Sequence, residues 1–518
     1  MTGTSPDNAP TLPVLQVRTP AELPEGGLTL DADVLVIGSG ASGAVAAYEL
    51  SSRGAKVVVL EAGPYVKSAQ FTERLNQSFD ALYEDGGNQA NNAGDLVVLQ
   101  GSCVGGSTVI NAAVCFRAPD AVLESWGTDH GLDNLAPSAM APYFEKVEQN
   151  LHIKQNGPHE INLNGRLIAD GARKLGIPAA PASRNIKHCA LTGHCLAGCK
   201  TDRKQSMLVT YLPWASELGA TVLSGTRAES FEVRDGRITE VHAIATDADG
   251  AEKPVNVKAG LVVVAAGAIQ TPLLFQRNAL GNSSGLVGHN FACHPSTAML
   301  GEHPDDIYSW LGATISTYAG NIEDPSEGSY LLEAGFLGPL SISTASEGGV
   351  GREYVEFIEN AKKNLAAVTL IHDHNVGRVY SENGRKRIDY DLDDRDFKSL
   401  QEAFRAAANI YFAAGATRVF LPTTRRTVIE GPGDVDSVVN SLENGRHLYK
   451  FTSYHPQGTM RMGRDPKASV VGPDGKMHDL DNVYVVDASL FPSTLLVNPQ
   501  ETVYAMATYL SEGIAARG

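Results

Sequence analysis

Cysteine is scarce in this chain, with only six among 518 residues. So few cysteines in so long a chain do not make a disulfide framework, and we expect a reducing, cytoplasmic setting. No stretch approaches the roughly 18 apolar residues that a membrane span requires. The N-terminal sequence MTGTSPDNAPTLPVLQ lacks the basic and apolar regions of a secretory signal peptide. We therefore expect neither a membrane span nor a leader.

Long runs of lysine or arginine are also missing, and the formal net charge is −17. This charge argues against binding to nucleic acid or to anionic membranes. The length exceeds that of one small core and predicts about two to four structural units. An apolar content of 43% together with 52 glycines is typical of a globular, loop-rich enzyme. The segment 1–28 is rich in Pro, Thr and Glu and is predicted to form an arm.

The strongest signal is a strand–turn–helix–strand unit. An apolar run, VLVIG, is typical of a parallel strand buried on both faces. It leads into Gly38-x-Gly40-x-x-Gly43, then a helical segment, then a second strand that ends at Glu61. The glycines let the backbone approach a pyrophosphate, the helix N-terminus offers free N–H groups, and the acid accepts hydrogen bonds from ribose hydroxyls. This unit predicts a Rossmann-type dinucleotide site, but it does not separate NAD from FAD.

Three further segments accompany this unit. QGSCVGGSTVINAAVCFRAP (100–119) is a second glycine-rich loop, which taken alone could equally be a plain loop. LVVVAAGAIQTPLLF (261–275) predicts a strand and then a helix that starts near Pro272. NVYVVDAS (482–489) predicts a late strand that ends in an acid and two small residues.

The C-terminal part of the chain holds a histidine and a capped helix. TSYHPQGTMRMG places His455 between a tyrosine and a proline. These twelve residues alone do not decide between a proton-transfer residue and a core histidine. The chain closes on VNPQETVYAMATYLSEGIAARG, which predicts an amphipathic helix with Asn498 as its N-cap and Pro499 in its first turn.

Together these segments resemble the glucose–methanol–choline (GMC) oxidoreductases, which depend on FAD. The resemblance covers most of the chain and is thin between 296 and 450. It implies an α/β fold with a Rossmann-type FAD-binding domain, and a discontinuous substrate-binding domain built on an antiparallel sheet with helices. The implied divisions are an FAD-binding domain from 29–150, 200–295 and 452–518, a lid with a Cys-rich loop at 151–199, and a substrate-binding domain at 296–451.

The resemblance also assigns residues to the cofactor. Some relatives attach FAD covalently through a histidine, and the matching position here is Ile110, which implies non-covalent FAD. The residues implied to bind FAD are Gly38, Gly40, Gly43 and Glu61 at the ADP part, Gly101, Gly105, Gly106, Ser107 and Asn111 along the flavin, Ala228 and Gly267 near the adenine and ADP, Asp487 and Ala488 beside the ribityl-pyrophosphate, and Pro499 and Thr502 at the last helix.

The same resemblance places His455 and Asn498 at the paired active-site positions. Oxidation of an alcohol needs a proton acceptor, hydride transfer to flavin N5, and stabilisation of the negative charge that reaches the flavin. Histidine suits the first role because its pKa lies near operating pH. His455 is therefore expected to be the general base and Asn498 to orient the substrate oxygen. The dipole of the last helix is expected to stabilise the reduced flavin.

The substrate is expected to be a small-molecule alcohol, bulky or lipophilic, with oxygen or a quinone-type molecule as electron acceptor. A sugar-type alcohol is an alternative. Hydroxynitrile lyases and light-driven decarboxylases of the same fold share these motifs, so a lyase or photoenzyme is a second hypothesis. A protein that binds FAD for structure alone is a third.

A cysteine–histidine loop at 187–200, KHCALTGHCLAGCK, leaves its role open. Its spacing matches no standard metal pattern, and we assign no metal to it. A disulfide within the loop and a substrate lid with free thiols remain alternatives. In VGHNFACHPS, Cys293 stands where the family has an acid, which puts the local ion pairing in doubt. His372 and His374 are predicted to share one face of a strand.

Overall fold

Two large sheets organise the chain, in a computed structural model that describes residues 14–323, 328–335, 337–338, 341–342 and 345–517. The first sheet has eight strands in this described part. Most neighbours run parallel, as buried apolar strands with helical crossovers require. In spatial order its strands are Val17–Arg18, Thr221–Leu223, Val57–Leu60, Leu28–Ile37, Glu252–Val264, Arg237–Thr246 and Thr226–Arg234, with Val483–Val485 also paired to Glu252–Val264.

The helix Ala41–Ser51 covers this sheet and packs against the last helix, Gln500–Ala515. Its buried face consists largely of small residues, which lets the two helices and the sheet approach closely. Gly43 has to be a glycine, because a Cβ there would collide with the Gly38 carbonyl group. The third glycine of the motif therefore serves the packing of helix on strand.

The second sheet is mostly antiparallel and has nine strands among the described residues. The helix Asp394–Ala413 packs on it and buries Phe397, Leu400 and Phe404. In spatial order its strands are Val428–Ile429, Arg418–Phe420, Ser296–Glu302, Asn364–Ile371, Tyr330–Ala334, Thr317–Ala319 and Ala179–Pro181, with Phe451–Ser453 bridging Ser296–Glu302 to Leu96–Val98.

The remaining elements are shorter. Two small sheets consist of His289–Phe291, Gly377–Glu382 and Arg385–Asp389, and of Ile153–Gln155 and Ser183–Asn185. The other α-helices are Leu75–Leu82, Asp120–His130, Pro137–Leu151, Leu163–Lys174, Tyr211–Glu217, Gly267–Arg277, Arg352–Glu359 and Val435–Asn440. The 3-10 turns are Pro20–Glu22, Ser68–Gln70, Glu84–Gly87, Gly106–Val109, Asp133–Leu135, Cys195–Ala197, Ala361–Lys363, Pro432–Asp434 and Ala488–Leu490.

The helix predicted to start near Pro272 begins earlier, at Gly267, so this prediction was wrong. Proline lacks an N–H and leaves the carbonyl four residues before it without its helical partner. Here that carbonyl belongs to Ala268, and the Thr459 hydroxyl donates a hydrogen bond of 2.5 Å to it. A contact from a distant segment therefore lets the helix run through the proline.

The predicted arm at 1–28 lies partly outside the described residues. Its described part includes Val17–Arg18, which adds an edge strand to the first sheet. No helix among the described residues is long and apolar enough to cross a membrane. The division of the chain into FAD-binding, lid and substrate-binding segments stays a proposal.

Asn164 ties the helix Leu163–Lys174 to the second sheet. Its fully buried amide donates to Ala366 O at 2.9 Å and accepts from Ala366 N at 2.9 Å. We expect Asn164→Ala to lower the free energy of unfolding by about 2–3 kcal/mol, because both Ala366 groups lose a buried partner. Thermal unfolding measures this loss. The exposed Asn440→Ala is the control, and an equal loss in both variants would contradict the assignment.

Candidate active site

A cavity of about 970 Å³ lies between the two sheets. Side chains and backbone from both sheets, from the glycine loops and from the start of the last helix line it. It brings together sequence segments that lie hundreds of residues apart. The predicted site residues in its lining are Gly38, Gly40, Glu61, Gly101, Gly106, Ser107, Asn111, Ala228, Gly267, His455, Asp487, Ala488, Asn498 and Pro499.

Three predicted cofactor residues are not part of this lining, and their contact with the cofactor stays a prediction. Gly43 packs against the Gly38 carbonyl, as described above. The Gly105 amide donates to the buried Ser39 hydroxyl at 3.0 Å and shapes the second glycine loop. Thr502 is fully buried within the last helix. Each of the three adjoins a residue that lines the cavity, namely Ser42, Gly106 and Val503.

The two glycine loops meet at the cavity floor. A Cβ on Gly106 would lie 2.7 Å from the Cα of Gly40, so a side chain there would push the loops apart. Glu61 fixes the first loop from below, accepting from Ser39 N at 2.9 Å, from the Ser39 hydroxyl at 2.6 Å and from Gly63 N at 2.8 Å. Burial raises the pKa of Glu61, while these hydrogen bonds favour its ionised form.

Asp487 holds the start of the helix Gly267–Arg277 against the cavity. Its carboxylate accepts from Gly267 N at 2.9 Å and from the Thr271 hydroxyl at 2.7 Å. Its other oxygen accepts from Ser489 N at 2.8 Å. Burial raises the pKa of Asp487, and the same hydrogen bonds oppose that rise. The acid therefore positions the backbone at the helix N-terminus.

Lys204 fixes the second glycine loop from behind. It is 1% exposed, and its ammonium group donates to Val109 O at 2.7 Å, Asn111 O at 2.8 Å and Cys195 O at 2.9 Å. Burial lowers the pKa of Lys204. The three carbonyl groups satisfy all three ammonium hydrogens. Lys204 thereby joins the loop beside Asn111 to the Cys-rich loop.

His455 lies at the cavity wall beside a second histidine, His294. The two Nδ1 atoms are 3.2 Å apart. The Nε2 atom of His294 accepts from Leu495 N at 3.2 Å and Leu496 N at 3.0 Å. A neutral His294 that accepts at Nε2 carries its proton on Nδ1 and donates it to His455 Nδ1. The neutral pair therefore keeps the proton of His455 on Nε2.

Burial keeps both rings uncharged. It lowers the pKa of His455 to about 3. It holds the pKa of the fully buried His294 well below its usual range, and the neighbouring rings of His455 and His372 act in the same direction. The pair therefore stays neutral at ordinary pH, and the proton positions described above apply there.

Asn498 faces His455, with its Nδ2 atom 3.4 Å from His455 Nε2. The helix begins at Gln500, and the Asn498 side chain makes no capping hydrogen bond. The predicted N-cap role of Asn498 was therefore wrong. Because both nitrogens carry hydrogen, they form two donors that converge on the cavity. Such a pair suits an oxygen acceptor.

Asp373 positions His294 from the end of the neighbouring strand, Asn364–Ile371. Its carboxylate accepts from Cys293 N at 2.8 Å, His294 N at 3.0 Å and the Tyr390 hydroxyl at 3.1 Å. Burial raises the pKa of Asp373 to about 6. The backbone at Cys293 is thus bound by a carboxylate from a segment distant in sequence.

His372 and His374 do not lie on a strand, because the strand Asn364–Ile371 ends before them. The predicted strand face was therefore wrong. The two rings pack edge to face with centroids 4.8 Å apart, and His374 Nδ1 lies 3.1 Å from the Asp396 carboxylate. Neither histidine lines the cavity. Their role is local packing and hydrogen bonding.

The Cys-rich loop contains three half-buried free cysteines, Cys189, Cys195 and Cys199. Within the described residues no group of three or more His, Cys, Asp or Glu side chains is arranged to hold a metal. Leu196 of this loop lines the cavity, and its carbonyl accepts a 2.6 Å hydrogen bond from the Tyr83 hydroxyl. The loop therefore forms part of the cavity wall.

Comparison with known proteins identifies the family. Models described as GMC oxidoreductase match residues 79–296 and 373–507, and one described as FAD dependent oxidoreductase matches 33–95. An uncharacterized GMC-type oxidoreductase of Mycobacterium tuberculosis is 32% identical over 489 residues, covering 94% of this chain and 76% of that protein. The chain belongs to the GMC oxidoreductase family. It is an FAD-dependent oxidoreductase with the corresponding fold.

Two further comparisons agree with this family. A long-chain-alcohol oxidase, FAO3, of Arabidopsis thaliana is 28% identical over 516 residues, which cover 94% of this chain and 68% of that protein. The crystal structure of pyridoxine 4-oxidase from Mesorbium loti superposes with a TM-score of 0.68 at 20% identity, covering 93% of this chain and 98% of that one. The structural similarity establishes the GMC fold.

The cavity of this GMC oxidoreductase fits FAD. Glycines at both loops leave the backbone open where a dinucleotide would lie. The Asn498 Oδ1 atom is buried and has no hydrogen-bond partner in the described structure. Ile110 offers no nucleophilic atom, which supports non-covalent binding of FAD. The glycine loops, Glu61 and Ala228 would hold the ADP part, and the loop beside Asn111 would hold the flavin.

Three polar residues of the site were not among those predicted from the sequence. Lys204 and Asp373 act on backbone groups of distant segments, and no local pattern reveals such contacts. Glu333 lines the cavity from the second sheet. Its only signal is an acid within the apolar strand YLLEA, where a fully buried face is expected.

Lys204 offers a test of how the flavin loop is held. We expect Lys204→Met to weaken FAD binding at least tenfold, because three buried carbonyl groups lose their donor and the loop relaxes, at a cost of about 1–3 kcal/mol for each group. The flavin-to-protein absorbance ratio and FAD titration of the apoprotein measure this. Lys200→Met, on an exposed neighbour, is the control. Unchanged FAD affinity in Lys204→Met would show that the second glycine loop keeps its conformation without Lys204.

Proposed function

We propose that this GMC oxidoreductase oxidises the hydroxyl group of a bulky, apolar alcohol to a carbonyl. The observation that carries the proposal is the convergence of His455 and Asn498 on a cavity that apolar side chains of the second sheet and its flanking segments help to line. These apolar residues are Ala298, Leu337, Ala345, Val368, Leu370, Tyr449 and Phe451, and the polar residues on the same side include Thr297, Glu333 and Thr452. A long-chain-alcohol oxidase among the relatives adds support for the substrate class.

In this proposal His455 and Asn498 hold the substrate oxygen. FAD, when bound, supplies the acceptor for the hydride that leaves the alcohol carbon. The two nitrogen donors, His455 Nε2 and Asn498 Nδ2, stabilise the negative charge that grows on the substrate oxygen as its proton leaves. The sequence predicts His455 as the general base, but the proton positions in the histidine pair favour a donor role.

Apolar side chains give the expected preference among alcohols. Each buried CH2 group contributes about 0.8 kcal/mol of binding free energy. Oxygen and quinone-type molecules are the proposed electron acceptors. Which acceptor the enzyme uses depends on how readily each one reaches the reduced cofactor. The rate of reoxidation with oxygen and with a quinone measures this preference.

An anaerobic alcohol panel tests the reaction. We expect 1-octanol and 1-dodecanol to bleach the flavin absorbance, with kred/Kd at least tenfold above that of 1-butanol because their chains bury more apolar surface. Preference for glucose would instead support a sugar-type alcohol. Absence of bleaching across primary, secondary and sugar alcohols would contradict the proposal and favour the lyase or photoenzyme.

His455→Ala separates catalysis from cofactor binding. We expect the variant to keep yellow, bound FAD and to lose at least about a hundredfold in alcohol-driven flavin reduction, because a donor to the substrate oxygen is gone. His289→Ala, on the exposed edge of a small sheet, is the control. Wild-type reduction rates in His455→Ala would show that His455 is a core histidine without a role in the reaction.

A further inference from the structure

A buried carboxylate lines the same cavity as His455. Glu333 lies on the strand Tyr330–Ala334, is 3% exposed and lines the cavity. Its neighbours along the strand, Leu332 and Ala334, are buried and apolar. A carboxyl group in such a place costs stability unless it is paired. Packing alone therefore gives no reason for an acid here.

Glu333 is poorly paired. Its Oε1 atom is buried without a hydrogen-bond partner among the described residues. None of the ion pairs in the described part of the chain includes it, and its cross-strand partners are Tyr318 and Val368. Among the described residues, the side chain of Asn498 hydrogen-bonds the carboxyl group. One oxygen of Glu333 is therefore left to interact with whatever occupies the cavity.

The surroundings of Glu333 hold its pKa near neutral pH, so its protonated and ionised forms are both populated there. Burial raises its pKa to about 7, and hydrogen bonding to Asn498 partly offsets this rise. Tyr454 is a titratable neighbour of Glu333, and burial raises its pKa. His455 lines the same cavity, and burial lowers its pKa, so both groups are neutral at that pH. Glu333 can therefore exchange a proton under conditions in which the histidine pair does not titrate.

The histidine pair leaves the proton of the substrate hydroxyl without an acceptor. His455 Nδ1 already accepts a hydrogen bond from the Nδ1–H group of His294, and His455 Nε2 already carries a hydrogen. Asn498 provides the link, because its amide contacts both His455 and Glu333. A substrate oxygen held by His455 and Asn498 would therefore lie near the Glu333 carboxylate.

We propose that Glu333 is the catalytic base that accepts the substrate hydroxyl proton, while His455 and Asn498 hold the oxygen. The inference rests on the proposed alcohol oxidation. In this step the O–H bond breaks and its proton goes to Glu333, which becomes a carboxylic acid. The C=O bond forms as the hydrogen on the α-carbon leaves with its electron pair, and FAD, when bound, would supply the acceptor for this hydride and so for the two electrons that the alcohol loses.

The pH dependence of flavin reduction separates the two candidate bases. Only ionised Glu333 accepts a proton, so the wild-type rate with saturating 1-dodecanol is expected to rise about thirtyfold from about pH 5.5 to about pH 8.5. Glu333→Gln holoenzyme is expected to lose this rise and at least about a hundredfold of the rate at the higher pH. Glu333→Asp is expected to restore part of both. Anaerobic stopped-flow absorbance measures each rate.

The exposed Glu323→Gln is the control, and it is expected to keep the wild-type profile. An infrared difference spectrum between wild-type and Glu333→Gln holoenzyme without alcohol gives an independent readout. It is expected to show a carboxylic acid band that disappears as the pH rises through about 7, as the pKa implies.

The possible results are distinct. A wild-type rate that is flat with pH, a Glu333→Gln variant that keeps the rise, or a carboxyl already ionised at about pH 5 overturns the role of Glu333 while alcohol oxidation stands. Absence of flavin reduction by 1-dodecanol and by the rest of the alcohol panel in every variant overturns both proposals. If Glu333→Gln fails to retain FAD, the role of Glu333 is decided by the pH dependence of flavin reduction in the wild type and in Glu333→Asp.

Discussion

Two backbone N–H groups that point at one imidazole nitrogen set the chemistry of this site. Leu495 and Leu496 donate to His294 Nε2, and this fixes the proton of His294 on the other nitrogen. His294 Nδ1 then donates a hydrogen bond to His455 Nδ1 over 3.2 Å, so the hydrogen of His455 lies on Nε2. A backbone turn before the last helix thus decides which face of His455 offers hydrogen to the cavity. Side-chain identity alone does not settle this.

The same site depends on polar contacts that span the chain. Asp373 holds the backbone of His294, Lys204 holds the second glycine loop, and Asp487 holds the start of the helix Gly267–Arg277. Each of these charged groups is buried and satisfies backbone groups on a separate segment. Buried charges of this kind add little net stability, but removing one leaves its partners unsatisfied. They therefore specify geometry more than they stabilise the fold.

The parts of the site that sequence predicts are those built by neighbouring residues. The glycine turn from Gly38 to Gly43, its flanking strands and Glu61 form one local unit, so their spacing carries the information. The fold class follows from such units and from the family resemblance, and it is confirmed. The helix start at Gly267 was missed because a hydroxyl from Thr459 replaces the lost bond at the proline. Asn498 was read as a cap because its contacts with distant residues leave no local pattern.

Glu333 illustrates why the remainder of the site lies beyond sequence reasoning. An acid in an apolar strand contradicts burial preference, and that conflict marks it as unusual without giving it a role. Its role comes from where the second sheet meets the loop before the last helix, since Asn498 contacts both Glu333 and His455 there. A folded-state pKa of about 7, above the ordinary value of 4.5, means that ionising Glu333 costs stability as the pH rises between these values. The fold tolerates this cost in the range where a carboxylate that accepts a proton would be useful.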